Sequence, residues 1–145
     1  MTKRFETFTL LINRISRNIR RIENQEMADY NLRSPHISCL YHLYLSNGLT
    51  ATQLCELCEE DKATISRSIG FLEKEGYISC ESQNTKRYKS PLLLTEKGIS
   101  VGRRLSQRIE HVLREVSVGL DDDEREAFYK SLSVISENLE RIKNN

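Results

Sequence analysis

At 145 residues the chain fits one domain. Its hydrophobic share of 38% is enough to fold but lean for a self-sufficient core. A net charge of +1 excludes the strongly basic balance that advertises nucleic acid by itself, so any case for DNA rests on local pattern.

Trp is absent, Pro occurs twice and Gly six times, so few residues interrupt helices and a mainly helical protein is favoured. No run approaches the roughly 18 apolar residues that span a bilayer, and no membrane partner is expected. The start is polar (Thr2, Lys3, Arg4) and then amphipathic, unlike a secretory signal. With Cys39, Cys55, Cys58 and Cys80 read as free thiols, a reducing, cytoplasmic setting is expected.

Phe5, Phe8, Ile12, Ile15, Ile19 and Ile22 step alternately by three and four, which predicts a helix over about 5–27 with a heptad seam. Leu11 widens the seam, while Arg14, Arg17, Arg20 and Arg21 lie off it. Ser34 and Pro35 suit the cap and first position of a second helix, with Ile37, Leu40, Leu43 and Tyr44 inward and Asn47-Gly48 as the stop. Thr50 with Gln53 reads as a capping box for a short helix whose core contacts are Leu54 and Leu57. Asp61 caps a further helix that packs through Ile65, Ile69 and Leu72 and ends at Gly76. Two β-prone runs at 77–80 and 90–94 flank a polar loop, a hairpin in which Pro91 suggests an edge strand. Thr95 caps a long helix with the seam Leu105, Ile109, Val112 and Val116, and Gly119 breaks it. Asp121 and Glu124 cap the last helix, which carries Phe128, Leu132, Ile135, Leu139 and Ile142.

The fold class is therefore mainly α, an α+β winged helix with a two- to three-stranded β-wing. One domain over 1–145 is expected, with a winged helix-turn-helix at 34–94 and dimerisation helices at 1–30 and 95–145. A helix of about four turns fits the major groove. With Ile65, Ile69 and Leu72 inward, Lys62, Ala63, Ser66 and Arg67 point out and Thr64 lies at the margin. Arg67 can donate twice to guanine; Lys62, Thr64 and Ser66 can reach phosphates or base edges, and Ala63 a thymine methyl. Gly70 would let the helix backbone approach closely. Lys86, Arg87 and Lys89 make the hairpin loop basic without an acidic residue between 82 and 89, with Arg87 as the groove-inserting candidate. Basic loops are also often simply solvated, and it is the position after the helical block that favours DNA here.

The stretch DKATISRSIGFLEKEGYI resembles the recognition helix of MarR (multiple-antibiotic-resistance regulator) family proteins, and LLLTEKG resembles their wing exit. Order and spacing extend the resemblance over nearly the whole chain. The resemblance implies a homodimer held by the terminal helices and two recognition helices on half-sites of a pseudo-palindromic double-stranded DNA operator. It also implies repression of its own or a neighbouring operon, with release by a small-molecule ligand or by thiol oxidation. The dimer interface would draw on Phe5, Phe8, Ile12, Ile15, Leu132, Ile135, Leu139 and Ile142. Family members take phenolic or aromatic ligands between the dimer arm and the winged helix, where Arg17, Tyr30, Tyr41 and Tyr44 would border the cleft; tyrosines at helical spacing also read as core. Two departures stand out. Lys86 occupies the place where the family often has an Asp that holds the wing Arg, and Phe71 stands where a basic or polar residue is common.

Cys55-x-x-Cys58 is half of a zinc pattern whose second half is missing, so packing is the simpler reading. Thiol-sensing family members use a cysteine near the chain start, and none precedes Cys39 here. Zinc-sensing members carry a His-x-x-x-His pair on the fifth helix; here His111 has Gln107 and Glu115 as its neighbours, and His36 and His42 lie on the second helix. No metal and no cofactor are expected. Three function classes separate cleanly. A DNA-binding regulator needs Lys62, Arg67, Arg87 and Lys89 on one surface, and a winged helix that instead binds protein would not. An enzyme would need an activated nucleophile or acid–base pair, and no such set is present; Cys39 and His42 share a helix side without a third partner.

Overall fold

The computed structural model describes residues 2–80 and 89–145, with Thr2 and Phe5 described by their backbone alone. Six helices and one small sheet are seen among these residues: α1 (Thr2–Glu26), α2 (Ser34–Tyr44), α3 (Ala51–Cys58), α4 (Lys62–Lys74), β1 (Ile78–Cys80), β2 (Leu92–Leu94), α5 (Glu96–Val116) and α6 (Asp122–Lys143). A single 3-10 turn, Ala28–Tyr30, follows α1. This is the expected mainly helical winged helix. The chain forms two compact units, Met1–Arg108 and Ile109–Asn145, with the boundary inside α5. Among the described residues no helix is long and apolar enough to cross a membrane.

Helix starts follow side-chain chemistry written locally. Thr50 Oγ1 accepts from the Gln53 amide at 3.2 Å, and Gln53 Oε1 accepts from the Thr50 amide at 2.9 Å. Asp121 and Glu124 make the same reciprocal pair, both at 2.9 Å. Asp61 Oδ1 accepts from the Thr64 amide at 2.7 Å. Each cap satisfies amides that the first helical turn leaves without partners.

The start of α2 departs from the expectation. Arg33 is the cap residue and Ser34 is already helical. The Ser34 hydroxyl donates to Glu23 Oε2 at 2.8 Å, and its amide donates to Asn24 Oδ1 at 3.1 Å. The end of α1 thus caps α2 from outside, so Ser34 is free to serve as a tie between helices. Leu57 also differs: it is 49% exposed, and Leu54 alone anchors α3 in the core.

The core of the first unit gathers Met27, Leu32, Ile37, Leu40, Leu43, Leu54, Ile65, Leu72, Tyr77, Ile78, Leu92, Val101 and Leu105. Strands β1 and β2 are antiparallel, with Ile78 opposite Leu94 and Cys80 opposite Leu92. On its far side Leu92 exchanges both backbone bonds with Leu49, at 2.8 and 3.3 Å. So β2 is not a bare edge: Pro91, which has no N–H to give, sits just outside the paired residue.

The TEKG segment at 95–98 locks α5 onto the end of α4. Thr95 Oγ1 donates to the Gly76 carbonyl at 2.6 Å, and the Thr95 amide donates to the Tyr77 carbonyl at 3.0 Å. Lys97 Nζ donates to the Glu75 carbonyl at 2.6 Å and lies 4.4 Å from the Tyr77 ring centroid. The closeness requires Gly98, since a Cβ there would lie 2.0 Å from the Tyr77 carbonyl oxygen. Replacing Gly98 by Ala should therefore cost about 3 kcal/mol or more, read as a lowered urea midpoint; an unchanged midpoint would contradict this joint.

Candidate nucleic-acid interface

Helix α4 is amphipathic by position. Ile65, Ser68 and Leu72 are buried and Ile69 is half-buried, which turns Lys62, Ala63, Ser66, Arg67 and Gly70 into solvent, with Thr64 half-buried at the margin. The sequence-predicted contact residues on α4 thus share one outward face. Arg67 Nη2 donates to Thr64 Oγ1 at 3.3 Å, so its guanidinium rests over the first turn. The Thr64 amide, then the Thr64 hydroxyl, hold the Asp61 carboxyl below its usual range, with the Arg67 charge adding to this. The first turn of α4 is therefore tied at both edges, by Asp61 below and Arg67 above. A Cβ at Gly70 would meet nothing within 4 Å, so the chain has no internal need for glycine there.

Lys89 is exposed just ahead of β2. Lys86 and Arg87 lie outside the described residues.

Phe71 packs within the domain. Its ring stacks on His36 of α2, with centroids 4.2 Å apart and planes 14° apart. His36 Nδ1 accepts from the Arg33 amide at 3.1 Å, which leaves Nε2 as the protonated nitrogen of a neutral ring. Burial, then the Arg33 charge, push the His36 pKa down from 6.5. Sequence reading had placed His36 only among metal candidates; a stacking pair 35 residues apart leaves no local trace. Among the described residues no group of three or more His, Cys, Asp or Glu is placed to hold a metal ion.

The four residues expected to border a ligand cleft each have their own setting. Tyr30 accepts from Arg104 Nη1, and Tyr44 packs where a Cβ at Gly102 would lie 2.9 Å from its ring. Tyr41 meets His42 edge-on at 5.8 Å, and Arg17 is exposed on α1. A further link that sequence did not suggest joins Arg108 to the Glu26 carboxylate at the end of α1. Of the expected interface residues, Phe8, Ile12, Ile15, Ile135, Leu139 and Ile142 are exposed and Leu132 is half-buried, while the side chain of Phe5 lies outside the description.

A cap-tied basic helix above a three-helix core, followed by a hairpin, defines a winged helix-turn-helix protein of the kind that regulates transcription through DNA. The chain matches no family profile. It is 31% identical over 132 residues to the uncharacterized HTH-type transcriptional regulator YybA of Bacillus subtilis (strain 168), covering 90% of this chain and 87% of YybA. A MarR transcriptional regulator from Methanosarcina mazei Go1 is 25% identical with a TM-score of 0.81, covering 94% of this chain and 92% of that one. Two Staphylococcus aureus structures share the fold. One is MepR in a DNA complex, at 18% identity and TM-score 0.81, covering 91% of this chain and 97% of that one. The other is MarR in complex with salicylate and kanamycin, at 16% and 0.84, covering 97% and 94%. The chain belongs to the MarR family of DNA-binding transcriptional regulators.

The neutral His36 ring carries a pH consequence. Its folded pKa is below the unfolded 6.5, so protonation opposes folding. Stability should be full above pH 6.5 and fall as the pH drops below it. Exchanging His36 for Gln should flatten that decline in urea titrations run across the window; parallel curves for both proteins would refute the assignment.

Proposed function

We propose that two copies of the chain pair through their terminal helices and bind a pseudo-palindromic operator as a repressor of its own or a neighbouring operon. The observation that carries the reading is the outward face of α4, where Lys62, Ala63, Ser66 and Arg67 stand together beside a capped helix start. Arg67 donates to guanine O6 and N7, Lys62, Thr64 and Ser66 serve phosphates and base edges, and Ala63 meets a thymine methyl. The wing residues Lys86, Arg87 and Lys89 add backbone and minor-groove contacts. Such work belongs in the cytoplasm and involves no catalytic step.

Pairing follows from surface that a soluble monomer would not keep. Phe8, Ile12 and Ile15 on α1, and Ile135, Leu139 and Ile142 on α6, expose their apolar seams. A second copy is the partner that presents the same seams with matching period. Release by a small aromatic acid near Arg17, Tyr30, Tyr41 and Tyr44 is supported by the salicylate held by the similarly folded S. aureus MarR.

Selection from random double-stranded DNA should return a pseudo-palindrome with half-sites about 10 base pairs apart or a multiple of that. Arg67→Ala should weaken binding roughly tenfold or more and relax one base position. Arg87→Ala should weaken binding more evenly across sequences, with a shallower salt dependence. No loss at either position would favour the alternative in which the winged helix binds protein, a reading that the net charge of +1 keeps in view.

Exchanging Leu139 for Glu should convert a dimer to a monomer in sedimentation equilibrium and abolish operator binding together with it. A wild-type chain that sediments as a monomer at micromolar concentration would overturn the pairing.

A further inference from the structure

Five of the chain's six glycines have a reason inside the fold. Gly48, Gly76 and Gly119 hold positive φ values of 122°, 78° and 94°, which a side chain would strain. Gly98 and Gly102 bring α5 onto Tyr77 and Tyr44, where a Cβ would lie 2.0 and 2.9 Å from its nearest neighbour. Gly70 has neither reason. It lies inside α4 without a positive φ, and a Cβ there would meet no atom within 4 Å. Glycine is also the poorest helix former after proline, because it has the most backbone freedom to lose. Helix α4 thus carries a weakening residue that no contact in the chain requires.

The place of Gly70 on α4 is equally specific. Two helical residues span about 200°, so Gly70 lies nearly opposite both Ser68 and Leu72, which are buried. It is on the side of α4 that projects furthest from the core. Ser66 and Arg67, one turn earlier, flank it around the helix, and all three are exposed. On its other sides the backbone is held: Ile69 is half-buried, and Phe71 stacks on His36.

We infer, resting on the reading of α4 as the helix that enters the major groove, that Gly70 is where the α4 backbone itself lies against the groove floor. The groove is about 12 Å wide and 8.5 Å deep, and a helix with its side chains is about 10–12 Å across. A helix clothed on every side fills that width and stands off the base edges. The bare backbone cylinder has a radius of only about 2.3 Å. With glycine at the outermost position, Cα reaches van der Waals contact with a base edge, and a Cα hydrogen can face a base acceptor. Ser66 and Arg67 then extend to the same floor on either side. The contact specifies sequence by fit: the base pair beneath Gly70 is one whose edge matches a bare backbone, and adding a methyl to the helix changes which pair fits.

The test compares the full chain with Gly70→Ala and Gly70→Val on the duplex that the wild-type chain selects from random double-stranded DNA. Gly70→Ala should raise the urea midpoint, with the folding equilibrium shifted up to about fivefold toward the folded state. It should bind the duplex about tenfold more weakly, as overpacking a tight contact does, and Gly70→Val more weakly still. Selection repeated with Gly70→Ala should return the same half-site except at one base pair or two adjacent pairs. A gain in stability with a loss in affinity assigns the glycine to a contact outside the chain. Unchanged or tighter binding by Gly70→Ala overturns the contact. A lowered urea midpoint also overturns it, since the glycine would then serve the fold. An even loss across all duplexes, with the same half-site selected, overturns the placement on the groove floor. Arg67→Ala separates this inference from the reading beneath it. If Arg67→Ala weakens binding and Gly70→Ala does not, only the glycine contact fails. If the wild-type chain selects no sequence, the regulator reading fails and the contact with it.

Discussion

The three carbonyls just past the end of α4 are handed to the start of α5. Lys97 Nζ donates to the Glu75 carbonyl, and Thr95 donates its hydroxyl to Gly76 and its amide to Tyr77, so all three acceptors have partners. Positive charge from Lys97 sits where the α4 dipole is negative. The contact is close because Gly98 has no side chain, and Gly102 one turn later lets α5 lie against the Tyr44 ring. Together these fix the far end of α4, while Asp61 and Arg67 fix its start. A recognition helix is useful only when its register against the groove is set, and here both ends are held by side chains a few residues away in sequence or across one joint.

That design separates the demands on α4. Its buried side needs only Ile65, Ser68 and Leu72. Its outward side is then free of packing demands, including at an exposed mid-helix Gly70 that lowers helix propensity by up to about 1 kcal/mol with nothing nearby to require it. The His36–Phe71 stack does a related job on the flank, where a ring in place of a polar residue ties α4 to α2.

Much of this was legible in the chain. The caps at Thr50, Asp61 and Asp121 were visible because they depend on residues three apart, and the α4 face because helical period alone decides it. What was hidden depends on distant partners. Ser34 looked like a cap until Glu23 and Asn24 supplied other bonds, and Leu57 looked like core because periodicity does not say where the core ends. Gly98 was visible as part of a family-like motif, but the Tyr77 carbonyl that demands it belongs to another element.

The exposed seams and the lean composition answer each other. A chain with a 38% hydrophobic share builds one core around α2, α3, α4 and the sheet, and has apolar residues left on α1 and α6. Leaving them in water forgoes roughly 1.5–3 kcal/mol for each large side chain, a large sum against the marginal stability of a single domain. In the proposed pairing a second copy would cover them, recovering that energy without enlarging the reading head, and DNA affinity would follow subunit concentration. Stability and specificity are then served by different parts of the same chain. On that proposal the terminal helices could be strengthened or weakened without touching a base contact, and α4 could be re-lettered without disturbing the pair.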